Sequence, residues 1–109
     1  MNHLQQLLQM GQQVQARLNE IQTQLARQTV SGTSGGGMVT AIADGRGRIR
    51  EIKIEPSVVR PDDVEMLEDL VVAAIADAQS KARALYEEEL TRITGGWTPW
   101  NLGGGLGGG

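Results

Sequence analysis

The first 25 residues carry an apolar repeat that suits only a long helix. Its positions alternate three and four residues apart: Leu4, Leu7, Gly11, Val14, Leu18, Ile21 and Leu25. This heptad seam predicts one helix over residues 3–28. Such a helix is roughly 39 Å long, whereas a compact domain of this size has a radius of gyration of about 13 Å. The helix must therefore project from its own domain or pair with another long helix.

Residues 29–55 change from helical spacing to β-forming residues separated by glycine. Residues 29–33, 38–43 and 48–55 predict three strands of an antiparallel sheet. Asp44-Gly45 predicts a tight type I′ hairpin turn between the second and third strands. Strict alternation would place Ile52 and Ile54 on one face of the third strand and Ile49 on the other.

Residues 62–93 predict a second long helix, which follows Pro61. Asp62 and Glu65 have the spacing of a capping box at its start. The first half of its apolar stripe should cover the sheet. The candidates for the core or a dimer interface are Leu18, Ile21, Leu25, Val39, Ile52, Ile54, Leu67, Leu70 and Val71.

Several function classes find no support in the residues. The chain has no cysteine and one histidine, and its glycine clusters are not followed by the Lys-Ser/Thr of a P-loop. The five acids of residues 62–70 suit a helix N-terminus better than a metal site. We therefore expect no enzyme activity, no cofactor or metal, and no small-molecule substrate. The N-terminus does not resemble a signal peptide and the longest apolar run is short, so we expect a cytoplasmic protein without a membrane partner.

The last residues differ in composition from the rest. Residues 94–109 hold 8 of the 15 glycines, together with Trp97 and Trp100. We expect one domain over residues 1–94 and a flexible tail over residues 95–109, whose tryptophans could dock on the body, stack on nucleobases or bind a partner.

Charge divides the chain into two unlike parts. Residues 1–60 carry seven Lys or Arg and four Asp or Glu, whereas residues 61–109 carry three and nine. On the second helix, acids four residues from Lys81, Arg83 and Arg92 should neutralise those cations. The basic residues of the hairpin suit either phosphate binding or a merely soluble sheet edge. The candidates for contact with DNA are Arg17, Arg27, Arg46, Arg48, Gln12 and Gln13.

Two stretches carry a family resemblance: SGTSGGGMVTAIADGRGRIREIKIEPSVV and EMLEDLVVAAIADAQSKA. With the Gln-rich first helix they resemble the YbaB/EbfC family of small bacterial nucleoid-associated proteins, over residues 1 to 93. The resemblance implies an α+β fold, with an α-β-β-β-α protomer and a three-stranded antiparallel sheet. It also implies a tweezer-like homodimer that pairs through its sheets and projects its helices as arms.

The resemblance further implies a nucleoid protein that binds and compacts double-stranded DNA without catalysis and with little sequence preference. Contacts to the DNA backbone would make such binding strongly salt-dependent. The alternative is a dimeric adaptor that contacts protein partners through the acidic half of the chain and the tail with Trp97 and Trp100.

Overall fold

The structure, a computed structural model, describes residues 2–93. Two long helices enclose three strands in sequence, and two short 3-10 turns, Gly35–Gly37 and Pro56–Val58, connect them. The elements are α1 (Asn2–Arg27), β1 (Thr29–Ser34), β2 (Val39–Asp44), β3 (Ile49–Ile54) and α2 (Val64–Ile93). The predicted α-β-β-β-α order is confirmed. The predicted tail, with Trp97 and Trp100, lies outside the described residues.

The three strands form an antiparallel sheet in the order β1-β2-β3. Alternate residues of the central strand, Val39, Ala41 and Ala43, are fully buried on the face that α2 covers. Val30 of β1 and Ile52 of β3 lie beside Ala43 and Ala41 in the register and pack against the same core. The predicted three-stranded antiparallel sheet is thus confirmed.

The alternation of β3 departs from the sequence-based expectation. Ile42 pairs with Glu51 but Ala43 pairs with Ile49, so Arg50 is an extra residue in a β-bulge. A bulge reverses the alternation beyond it. Ile49 therefore joins Ile52 on the core face, and the expectation that they face opposite ways was wrong.

The β2–β3 turn is also not the expected type I′ turn. The Gly47 N–H donates to the Asp44 carbonyl at 2.9 Å, and in the loop only Gly47 has a positive φ, of 88°. This is a three-residue loop in which the left-handed glycine forms the bulge, a common alternative to the two-residue turn. Arg46 thereby becomes the outermost side chain of a wider loop.

Helix α2 lies directly on β1, with almost no side chain between the two backbones. A Cβ atom built on Gly32 would lie 2.1 Å from the Ala78 nitrogen and 2.4 Å from the Ala74 oxygen. Ala74 and Ala78 are themselves fully buried. The core depends on this close approach because the chain has no phenylalanine to fill a wider gap.

The outer edge of β1 is hydrogen-bonded by side chains of α2. The Thr33 N–H donates to Asp77 at 3.0 Å, and the Lys81 ammonium donates to the Ser31 carbonyl at 3.0 Å. The Thr33 hydrogen bond and the Lys81 ammonium, 3.2 Å away, hold the pKa of Asp77 below its ordinary value. These bonds satisfy backbone groups that an edge strand would otherwise leave open to another strand. In the part of the chain that the structure describes, β3 has no such cover on its outer edge.

The start of α2 is capped one residue later than the capping-box spacing suggests. The Asp63 carboxylate accepts from the Met66 N–H at 3.2 Å, so Asp63 is the N-cap residue. Asp62 is instead exposed and pairs with Arg60 at 3.4 Å. The helix consequently begins at Val64 rather than at residue 62.

Helix α1 projects away from the sheet. All side chains of residues 3–20, called the arm below, are exposed, and only Ile21 and Leu25 of the seam are buried. The molecule measures 72 × 35 × 17 Å and its radius of gyration is 20.1 Å. That radius exceeds the value of about 13 Å for a compact chain of this length, as a projecting helix requires.

The core candidates divide according to where the arm begins and where the sheet ends. Leu18, on the arm, is 37% exposed and Ile54, at the end of β3, is 38% exposed, so neither is a core residue of the single chain. Four other candidates are half-buried and pack against the core: Ile52, Leu67, Leu70 and Val71.

Replacing Gly32 by alanine should destabilise the fold by about 3 kcal/mol, because overpacking at this contact must displace the backbone of α2. The matched control is Gly11→Ala, since a Cβ atom at Gly11 meets nothing within 4 Å. Urea unfolding of both variants measures the difference. Equal midpoints for Gly32→Ala and the wild type would contradict the close approach.

Candidate nucleic-acid interface

Asp44 organises the hairpin tip, defined here as residues 45–48. Its side chain is 1% exposed. One carboxylate oxygen accepts from the backbone N–H groups of Arg46 and Arg48, at 2.9 and 3.1 Å. The other oxygen accepts from the Arg50 guanidinium at 3.0 Å. The main chain of the tip is therefore fixed from beneath, while the Arg46 and Arg48 side chains stay exposed.

These interactions set the protonation state of Asp44. Burial alone would raise the pKa of its carboxyl group, but the N–H groups of Arg48 and Arg46 and the Arg50 guanidinium together lower it below the ordinary 3.8. Asp44 is therefore a carboxylate at neutral pH. Arg50 forms a salt bridge with Asp44 and offsets its charge. Arg46 and Arg48 form no salt bridge with Asp44.

Helix α1 is joined to the hairpin tip by backbone hydrogen bonds. The Gly45 N–H donates to the carbonyls of Leu25 and Gln28, at 2.8 and 3.0 Å. A Cβ atom on Gly45 would lie 2.7 Å from the Leu25 oxygen, so the position needs a glycine. This junction brings Arg27, which lies between Leu25 and Gln28 in the chain, close to the tip.

The DNA-contact candidates lie in two groups. Arg27, Arg46 and Arg48 are exposed around the junction of α1 and the tip. Arg17 is ten residues back along the arm, about 15 Å away, and lines a shallow depression with Gln13, Ala16 and Glu20. Gln12 and Gln13 are exposed still farther along the arm.

Six of the ten lysine and arginine side chains form no ion pair with a described residue. The six are Arg17, Arg27, Arg46, Arg48, Lys53 and Arg83. All six are exposed. The four arginines expected to contact DNA are among them, so their charge is available to an external anion.

Arg83 is a cation that the sequence-based interpretation missed, because Glu87 was expected to neutralise it. Within residues 2–93 the expected pairs Asp77–Lys81 and Glu88–Arg92 form, at 3.2 and 3.9 Å, but Arg83–Glu87 does not. In both pairs that form, the acid precedes the base, which is the more favourable order on a helix. In the third the order is reversed, and this signal was present in the sequence.

Arg83 and Arg46 line one groove, called the tip groove below. It lies between the end of α1, the tip and α2, with a volume of about 560 Å³. Its lining residues are Gln22, Leu25, Gly45, Arg46, Gly47, Gln79, Ala82, Arg83 and Tyr86. The lining contains two arginines and no acid, so the groove suits an anion.

Five acidic residues lie at the opposite end of α2 from Arg83, whereas Glu87, Glu88 and Glu89 lie just beyond Arg83 in the chain. Asp62, Asp63, Glu65, Glu68 and Asp69 are all exposed. Eighteen residues separate Glu65 from Arg83, or about 27 Å along the helix. Among the described residues no cluster of three or more potential ligands is arranged to hold a metal ion. Neither described helix is long and apolar enough to cross a membrane.

These features define a class of protein: a small α+β protomer with a projecting helix and unpaired arginines around a hairpin tip. The sequence places it more narrowly. Residues 1–97 match the YbaB/EbfC DNA-binding family, and the chain belongs to that family.

Relatives agree with this assignment, and a solved structure shares the fold. A nucleoid-associated protein of Chloroflexus aurantiacus is 48% identical over 91 residues, which cover 84% of this chain and 91% of the relative. One of Rhodospirillum rubrum is 43% identical over 96 residues, covering 88% and 90%. The crystal structure of the uncharacterized protein HP0035 from Helicobacter pylori shares the fold, with a TM-score of 0.74. It is 18% identical, and the match covers 83% of this chain and 95% of that one.

The Asp44 side chain should stabilise the fold only where it is ionised. Because its pKa is lower in the folded chain, its contribution is complete above about pH 4, the unfolded value, and is lost as the pH falls through the folded value. Asp44→Ala should cost about 1–3 kcal/mol at pH 7, because buried N–H groups lose their acceptor.

Urea unfolding at pH 7 and pH 2.5 tests this expectation. The loss caused by Asp44→Ala should shrink at the lower pH. The control is Asp62→Ala, since Asp62 is 71% exposed and, among the described residues, pairs only with exposed Arg60. A loss that is the same at both pH values would show that ionisation of Asp44 is not what stabilises the tip.

Proposed function

We propose that this protein binds double-stranded DNA through its phosphate backbone with little sequence preference, and that it helps to compact the nucleoid and modulate expression. The observation that carries the proposal is the group of unpaired, exposed arginines around the tip and along the arm. Arginine binds phosphate by charge and by paired hydrogen bonds, neither of which reads a base. Gln12 and Gln13 would add amide donors on the arm.

The distribution of charge supports one orientation on DNA. Arg27, Arg46, Arg48 and Arg83 would face the duplex, and the acids of residues 62–69 would point away from it. Repulsion from those acids is weakened by distance, since even Asp69, the nearest of them, is about 21 Å from Arg83 along the helix, beyond the Debye length of about 8 Å at physiological salt. A net charge of −3 is therefore compatible with binding DNA.

The protein is also proposed to act as a tweezer-like homodimer paired through its sheets. The outer edge of β1 is covered by Asp77 and Lys81, whereas β3 is uncovered within the described chain. Ile54 at the end of β3 is 38% exposed, and Val72 of α2 is 67% exposed. Pairing along β3 would cover this edge and direct two arms outward.

Replacing both Arg46 and Arg48 by glutamine should weaken duplex binding and make it less sensitive to salt. The slope of log K against log salt should fall by about 2, one for each lost phosphate contact. The control is Arg60→Gln with Arg92→Gln, which removes the same charge from cations already paired with acids.

Fluorescence anisotropy with two unrelated duplexes, over a salt series, measures both affinity and slope. The control variant should keep the wild-type slope on both duplexes. No binding by the folded wild type at any salt concentration would overturn the proposal, as would equal slopes for the two double variants.

Ile54→Asp should convert the dimer to a monomer, because a charge in a β3 interface has no partner there. Light scattering after size exclusion should give twice the chain mass of 11.7 kDa for the wild type and the single mass for the variant. Leu4→Asp, on the arm and 64% exposed in the wild type, is the control and should remain dimeric. A dimeric Ile54→Asp variant would place the interface elsewhere.

A protein-interaction adaptor is the second candidate, and the exposed acids of residues 62–69 favour it. A chain lacking residues 95–109, tested beside a variant with Glu65, Glu68 and Asp69 changed to Gln, Gln and Asn, separates the two functions. Loss of partner capture with intact duplex binding would support the adaptor.

A further inference from the structure

The tip groove is larger, and its lining more varied, than binding a DNA backbone requires. It is formed by three elements, and its volume of about 560 Å³ falls within the usual range for small-ligand sites. A phosphate group alone would fill only part of it. Besides the two arginines, the polar and aromatic part of the lining is one ring, Tyr86, and two amides, Gln22 and Gln79.

Each of these groups has free binding capacity. Arg46 and Arg83 form no ion pair with a described residue, and their guanidinium groups suit a phosphate. Gln79 donates one amide hydrogen to the Gly47 carbonyl at 3.2 Å, which fixes it at the groove and leaves its oxygen free to accept. Tyr86 is half-buried, so its ring is held in place yet still reached from the groove.

We propose that the tip groove is a binding site for one nucleotide with an unpaired base. Its phosphate lies on Arg46 and Arg83, its base stacks on Tyr86, and the amides of Gln22 and Gln79 meet the base edge. A base paired within a duplex is already stacked on its neighbours and cannot also stack on Tyr86. The groove therefore distinguishes single-stranded or frayed DNA from intact duplex, which goes beyond the backbone binding proposed above.

The inference rests on the proposed DNA binding through Arg46 and Arg83, which both face the duplex there, so the decisive variant is at Tyr86, which backbone binding does not use. Fluorescence anisotropy compares a labelled 20-nucleotide oligothymidine with a 20-base-pair duplex, using the full chain at low salt. Tyr86→Leu should weaken binding of the single strand at least about fivefold, the lower limit for losing one base stack. The same variant should bind the duplex within about twofold of the wild type, since backbone binding needs no stacked base.

Three further variants separate stacking and charge from loss of structure. Tyr86→Phe keeps the ring and should bind the single strand as the wild type does. Arg83→Gln should weaken single-strand binding, whereas Arg92→Gln on the same helix should not, because Arg92 is paired with Glu88 and Glu89 and does not line the groove.

Thymidine monophosphate as a competitor identifies the source of the nucleotide. Displacement of the labelled strand from the wild type, absent for Arg83→Gln, would show that a free nucleotide occupies the site. No displacement at millimolar concentrations, with the Tyr86 effect intact, would restrict the site to a nucleotide within a strand.

The site would be overturned by equal single-strand affinities of the wild type and Tyr86→Leu. It would equally be overturned if Tyr86→Leu weakened duplex and single strand by the same factor. Failure of the backbone proposal is separate, because it would appear as absent duplex binding by the wild type.

Discussion

The contact of α2 with β1 at Gly32 determines where everything else in the molecule lies. With no side chain at Gly32 and only methyl groups at Ala74 and Ala78, the helix backbone rests on the strand. At that distance Asp77 and Lys81 reach round β1 and bind its outer edge. The same placement leaves β3 at the margin of the sheet, with Ile54 partly exposed. Because Gly32 has no side chain, α2 can cover the β1 edge of the sheet, and the β3 edge is left uncovered in the described chain.

A second constraint fixes the arm relative to the sheet. Among residues 3–27 of α1, only Ile21 and Leu25 are buried, which is a small area to orient a helix of 26 residues. The Gly45 N–H adds direction, since it donates to two carbonyls at the end of α1. Gly45 is itself held by the loop that Asp44 organises. A single buried carboxylate therefore positions both the basic side chains of the tip and the base of the arm.

Much of the fold could be predicted from the sequence, because periodicity reports which side of an element is covered. The seam from Leu4 to Leu25 indicated a helix too long for its domain, and Val39, Ala41 and Ala43 alternate as a buried strand does. The errors arose where one extra residue, in a loop or in a strand, changes which face of the sheet a side chain occupies. The loop at Gly45 to Gly47 is one residue longer than the expected turn. Farther along β3, Arg50 is an extra residue in a bulge. That bulge moves Ile49 to the core face, which no local pattern in β3 reveals.

The candidate site was less predictable, since it depends on contacts distant in sequence. The arginines of the tip could be found because glycines flank them at a predicted hairpin turn. The tip groove could not, because it unites α1, the hairpin and α2 across positions 22 to 86. The sequence likewise did not reveal that Asp63, and not Asp62, caps α2, because the capping residue depends on how the preceding turn enters the helix.

The order of charges along α2 connects sequence, structure and function. An acid placed four residues before a base aligns with the helix dipole and holds the base, as at Asp77–Lys81 and Glu88–Arg92. Arg83 precedes Glu87, forms no ion pair in the described chain, and lines the tip groove. It is the one cation of α2 without an ion pair to a described residue. An acidic helix therefore presents a free positive charge at the one place where the end of α1 and the hairpin tip meet it. Net charge alone says little about such a protein, because the position of each uncompensated charge determines which surface an anion can approach.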